Sequence, residues 1–288
     1  MNHLAGQIFQ KLQRGFGVVK QTVYSWLDDR APTMGAAIAF YAMFSLAPML
    51  VIVVGVAGLV FGREAAEGAL FGDLARLVGP ESAGAVQAML ANMSNTKSGL
   101  IATALGLGTL IVTATAVFSE LQATLNLIWK VSTQNLPVWY YFKSRLLSLS
   151  VILVIGFLLL VSLIISTLLQ AFSNYIDRTL PNFFFVVYLV HHAISFSFTT
   201  VFFAVIFKIL PDAPVEWEDT WLGAAITAAL FAIGKHLISL YIGSSSMAST
   251  YGAASALIIV FVWIYYSAQI FLLGAEFTKA YGDLRRSK

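Results

Sequence analysis

Between Arg30 and Arg63 the chain runs for thirty-two residues, APTMGAAIAFYAMFSLAPMLVIVVGVAGLVFG, without one charged side chain. A helix crosses the hydrocarbon core of a bilayer with about 20 apolar residues. This run exceeds that length, so residues 36–61 read as a first transmembrane helix, tilted or extended past one interface. Tyr41, Ser45 and Pro48 stand at i, i+4 and i+7 and share one face. Pro48 removes a backbone donor, so a kink is expected there. In lipid the freed carbonyl needs a partner inside the protein, and that face is expected to look into a bundle. The kink then serves packing alone, or it lines a path.

The composition agrees. Of 288 residues 59% are hydrophobic and only 11% charged, against about 25% charged in soluble domains. Twenty-two Phe, eleven Tyr and six Trp suit lipid-facing and interfacial positions. Cysteine is absent, which excludes disulfides and thiolate metal sites. Residues 1–30 are interrupted by Lys11, Arg14, Lys20, Asp28, Asp29 and Arg30, so no cleavable signal peptide is expected.

The expected fold is an all-α integral membrane protein. Six transmembrane helices are joined by an N-terminal amphipathic helix and two short amphipathic helices after the first span. In residues 1–30, Leu4, Ile8, Leu12, Phe16, Val19, Val23 and Trp26 recur at steps of three and four with polar residues between. That is an amphipathic helix too polar to span, resting either on lipid or on its own bundle. Residues 63–97 carry two short apolar stripes separated by Gly79-Pro80, which suits an external collar. The remaining spans are read at about 99–118, 146–172, 183–207, 220–242 and 251–277, giving a transmembrane domain over 31–277. Residues 278–288 form a basic tail. The helical pattern of span two continues to Trp129 and stops before Lys130. Span five is rich in Ala and Gly, the sign of a helix buried among others.

Orientation follows from Lys and Arg. With both termini in the cytoplasm, that side holds Lys11, Arg14, Lys20, Arg30, Lys130, Lys143, Arg145, Lys208, Lys279, Arg285, Arg286 and Lys288, twelve in all. The other side holds Arg63, Arg76, Lys97 and Arg178, four in all.

Three stretches, RAPTMGAAIAFYAMFSLAPML (30–50), FGREAAEG (61–68) and STYGAASALIIVFVWIYYSAQIFLLGAEF (249–277), resemble the YihY/BrkB family of bacterial inner-membrane proteins. The resemblance covers nearly the whole chain in matching order. It implies six helices in the inner membrane. Members are linked to virulence as serum-resistance factors, to export or ion-linked transport, and to an old ribonuclease label. It supplies no catalytic residues.

The ribonuclease label finds no chemistry in the residues. The four histidines, His3, His191, His192 and His236, form no metal-ligand cluster. His191 and His192 are adjacent and point roughly 100° apart on a helix. Dispersed Lys and Arg do not make an RNA-binding surface. No enzyme activity, catalytic residue, cofactor, metal or nucleic-acid partner is therefore expected.

Intramembrane polar groups are the functional candidates, because an unpaired charge in lipid is costly. Tyr41, Ser45, Pro48, Glu120, Lys235, His236, Gln269 and Glu276 form a candidate pathway or gate. Arg30, Glu120 and Glu276, at one depth, form a candidate inner ion cluster. Lys235 either lines the path or snorkels to the outer headgroups. Gln269 shares a face with Tyr265, Leu272 and Glu276, and either lines a cavity or bonds between helices. The expected function is a transporter or exporter of an ion, small amphiphile or lipid; the alternative is a non-transporting scaffold or envelope-assembly factor. Membrane lipids are the expected partners, and an oligomer is open.

Overall fold

The computed structural model describes residues 2–78, 83–84, 86–88, 115–131, 184–244 and 255–287. Among them every regular element is an α-helix. In chain order these are α1 (Asn2–Asp28), α2 (Ala31–Phe61), α3 (Arg63–Val78), α4 (115–128), α5 (Phe184–Ile209), α6 (Trp217–Ser244) and α7 (Ser255–Arg286). Three carry stretches long and apolar enough to cross a membrane: His192–Ile209, Trp217–Ile238 and Leu257–Arg286.

The charge-free run becomes α2, which starts at Ala31 rather than at 36 and places Pro32 in its first turn. A proline is harmless there, since the first N–H groups of a helix have no intrahelical acceptor. Gly62, at φ 84°, ends α2 in a conformation that favours glycine. α4 ends where the apolar pattern stops. Lys130 is left-handed, its N–H donates to the Leu127 carbonyl, and the Val131 N–H donates to that of Asn126 at 2.8 Å. That pair of bonds is a Schellman cap. Residues 278–286, expected as a tail, continue α7 as helix to Arg286. Span three (146–172), nearly all of span two and the end of the collar (89–97) lie outside the described residues.

α7 is the hub and packs against α6, α2, α1 and α3, while α5 packs on α6 and α3 on α2. The α6–α7 contact has a repeated device. α6 reads Gly223-Ala224-Ala225-Ile226-Thr227 and α7 reads Gly274-Ala275-Glu276-Phe277-Thr278. A Cβ on Gly223 would fall on the side chain of Thr278, and one on Gly274 would fall on that of Thr227. The pairing runs in opposite senses along the two chains, so the helices are antiparallel. Each threonine hydroxyl donates to a carbonyl of its own helix, Thr227 to Gly223 and Thr278 to Gly274, both at 2.7 Å. With the hydroxyl satisfied, the rest of each threonine fills the opposing notch. Small residues of this kind let backbones approach where lipid supplies no hydrophobic drive.

Two apolar clusters flank this contact. The larger joins α4, α5, α6 and α7 to the start of α2 through Phe118, Leu125, Ile128, Phe203, Phe207, Leu272 and Ala275. Within it Phe207 lies 5.3 Å from Phe271 and Phe203 5.9 Å from Phe231, centroid to centroid. The smaller, at the other end, joins Leu50 of α2 to Ile259 and Val260 of α7, with Leu70, Phe71 and Leu74 of α3 packed on it.

Candidate functional site

α7 presents Gln269 and Glu276 on one face, seven residues apart. At 1.5 Å per residue that is about 10 Å along the axis. The face looks at the corner where α1 turns into α2. Arg30 makes the corner by adopting the left-handed conformation (φ 55°, ψ 37°). Its N–H donates to the Leu27 carbonyl at 3.1 Å, and the Asp29 N–H to that of Ser25 at 2.8 Å. Asp29 is half-buried as a result, and the side chain of Arg30 is exposed.

Glu276 is 1% exposed, and its carboxylate faces the Asp29 side chain, a contact that serves as a hydrogen bond only when one of the two acids carries a proton. Among its charged neighbours Asp29 acts on it most strongly, ahead of Lys279 and Lys130. Two acidic side chains thus meet at a helix junction. A buried carboxylate set against a second ionised acid costs several kcal/mol, on the order of 3 or more. Two turns along α7, Gln269 has its Nε2 3.5 Å from the Pro32 carbonyl, the outer limit for a hydrogen bond. Its Oε1 is buried without a partner. The amide rests against Gly35 of α2, where any side chain would collide with it. Trp26, just before the corner, buries an indole N–H without a partner. Two polar groups with unmet hydrogen-bonding capacity, Gln269 and Trp26, and the Glu276–Asp29 acid pair therefore belong to the α1, α2 and α7 junction.

The other predicted residues are placed differently. Ser45 is buried, but its hydroxyl donates to the Ala42 carbonyl of its own helix at 3.0 Å. Tyr41 is 38% exposed. Pro48 lies inside the unbroken helix α2, with its side chain outside the described residues. Lys235 and His236 are exposed, because their neighbour Gly234 is the residue of that turn packed against Tyr266 and Ile270 of α7. Glu120 is half-buried on α4. Among the described residues no ion pair joins Arg30, Glu120 and Glu276; the partner the corner brings to Glu276 is Asp29.

Two polar staples beside the site went unseen in the sequence. Asp212, in the loop between α5 and α6, accepts bonds from Asn126 Nδ2 at 2.8 Å and Gln122 Nε2 at 3.0 Å. Its own N–H donates to Asn126 Oδ1 at 2.8 Å. This fastens α4 to the loop. Farther along, Arg285 pairs with Glu216, Glu218 and Asp219, and Arg286 lies 3.4 Å from Asp219 and 2.9 Å from Asp283. The end of α7 is thereby clasped to the start of α6, with Asp219 buried between. The only sequence signal was an acidic loop and a basic tail, which by themselves read as two solvated segments.

The family described as virulence factor BrkB matches residues 22–288. A UPF0761 membrane protein of Aeromonas salmonicida is 29% identical over 98% of this chain and 94% of its own length. A UPF0761 membrane protein of Klebsiella pneumoniae is 31% identical over 76% of this chain and 72% of its own. UPF0761 membrane protein YihY of Salmonella typhimurium is 33% identical over 65% of this chain and 61% of its own. No solved structure matches. With the match running from the last turns of α1 to the end of α7, across the α1–α2 corner and the α6–α7 contact alike, the chain belongs to the BrkB family of membrane proteins.

Proposed function

We propose that this membrane protein is a transporter or exporter of an ion, small amphiphile or lipid, seated in the bacterial inner membrane with both termini in the cytoplasm. The cargo passes along the Gln269–Glu276 face of α7, and Asp29 and Glu276 form the gate at the α1–α2 corner. One observation carries this reading: Glu276 is fully buried against a second acid, Asp29. A buried acid whose facing side chain is another acid fits a group that interacts with something mobile. Lys235 and His236 are exposed on α6, away from this face of α7.

The test is flux in proteoliposomes, with pyranine for protons, ion-selective dyes for sodium and potassium, and dithionite quenching of fluorescent phospholipids for lipid movement. Wild-type protein is expected to move one of these cargos. The Glu276→Gln variant, checked for folding by its elution and melting curve, is expected to fall to the level of empty liposomes. Unchanged flux in Glu276→Gln overturns the gate. No flux from wild type, with defined crosslinked partners in native membranes, overturns transport in favour of the scaffold reading.

A further inference from the structure

α1 divides its surface into three sectors. Val18 and Thr22 are buried against the bundle, with Ser25 and Trp26 half-buried beside them. Phe16, Val19, Val23 and Leu27 are exposed, at 73%, 53%, 45% and 55%. Gly17, Gln21 and Asp28 form the third sector and are exposed as well. At 3.6 residues per turn the three sectors lie roughly 120° apart. From Phe16 onward the exposed apolar stripe therefore faces away from the described bundle, and contact with that bundle is made by Val18 and Thr22 with Ser25 and Trp26 beside them.

A stripe of exposed large apolar side chains marks a contact surface. A helix with one side on protein, one apolar side and one polar side fits the line where a bundle meets a lipid leaflet and water. The charges fit the same place. Lys11, Arg14 and Lys20 are the only charged residues before Asp28, and all are basic. Lys20 falls between the apolar and polar sectors, with its ammonium 5.7 Å from the centroid of the exposed Tyr24 ring. A lysine and a tyrosine at that boundary sit at headgroup level. The start of α6 offers a matching belt: exposed Trp217 and Trp221 stack at 6.3 Å, and Lys208 lies 5.4 Å from the centroid of Trp217.

We propose that α1 is an interfacial helix that binds anionic phospholipid. Phe16, Val19, Val23 and Leu27 enter the acyl region, and Lys20 meets the phosphates. Basic residues near an anionic leaflet gain from its surface potential, and the apolar stripe gains by leaving water.

The absence of cysteine in the natural chain makes the test direct. Full-length protein carrying a single spin label, at Phe16→Cys, Val23→Cys, Leu27→Cys, Gly17→Cys, Gln21→Cys or Asp28→Cys, is reconstituted in phosphatidylcholine with a minority of phosphatidylglycerol. Collision rates with oxygen, which enters lipid, and with a water-soluble nickel chelate are then compared. The first three sites are expected to show an oxygen-to-nickel ratio several-fold above the last three. Removing phosphatidylglycerol is expected to shrink that contrast, and Lys20→Gln is expected to abolish its dependence on the anionic lipid. Nickel access at all six sites means a solvated helix and overturns the proposal. Shielding of the first three from both reagents means a protein partner or second copy and overturns it equally. A contrast indifferent to phosphatidylglycerol overturns the role of Lys20.

Discussion

A glutamate buried against a second acid inside a helical bundle works against the fold. Glu276 is placed there by the close α6–α7 contact: Gly274 and Thr278, on either side of it, are both locked against α6. Its carboxylate is carried to Asp29 whether or not that is favourable. Glu276→Gln keeps the shape, removes the charge and supplies an amide that can donate to Asp29. It is expected to stabilise the protein by on the order of 2 kcal/mol, read as a higher melting temperature in nanodiscs, even as flux is lost. Such an exchange of stability for activity is a mark of a functional group. A lower melting temperature would make Glu276 a structural residue. Gln269 and Glu276 were legible from their spacing of seven residues, which places them on one face of any helix. Asp29 was not, because it lies 247 residues before Glu276 (276 less 29) and only the left-handed corner at Arg30 brings it in. The exposure of Lys235 has a simpler reason. Composition places it inside a span, but the side its residue faces is set by which neighbour packs, and that neighbour is Gly234.

The helices themselves were the most legible level. The uncharged run became α2, the apolar stretches about 183–207 and 220–242 became α5 and α6 with ends shifted by a few residues, and that of 251–277 became α7, which runs on to Arg286. Ala and Gly in span five pointed to close packing, but not to the partner or the register. α1 shows the limit of periodicity. Phe16, Val19, Val23 and Trp26 form one apolar face by spacing, yet Trp26 turns toward the bundle while the other three face outward. Spacing says that residues share a side; it does not say what covers them. The α6–α7 register makes a sharp prediction of its own. Gly274→Ala drives a methyl into Thr227 and is expected to cost on the order of 2 kcal/mol. Thr227→Ala removes the obstacle and is expected to recover most of that loss, whereas Thr278→Ala, which faces Gly223, is not. Melting curves of the singles and doubles give the coupling directly. Equal rescue by both threonine variants would refute the antiparallel pairing.

The molecule as a whole is tied through α7, which meets the α1–α2 corner at Glu276 and the start of α6 at its last turns. Along most of its length the contact is apolar, and lipid competes with such surfaces on nearly equal terms. Polar staples at the helix ends then carry more of the specificity than they would in water. Asp219 is the clearest case, since it is 1% exposed and its counter-charges come from Arg285 and Arg286 in the last turn of the chain. The pairs of Arg285 with exposed Glu216 and Glu218 contribute little by comparison. Replacing both arginines by alanine strands a buried carboxylate and is expected to cost on the order of 3 kcal/mol, lowering the melting temperature in nanodiscs. Asp219→Asn in that background removes the stranded charge and is expected to restore most of the loss, while Glu216→Gln and Glu218→Gln restore none. If instead all three neutral variants rescue alike, the clasp acts through overall charge at the membrane surface, and the end of α7 does not hold α6 in register.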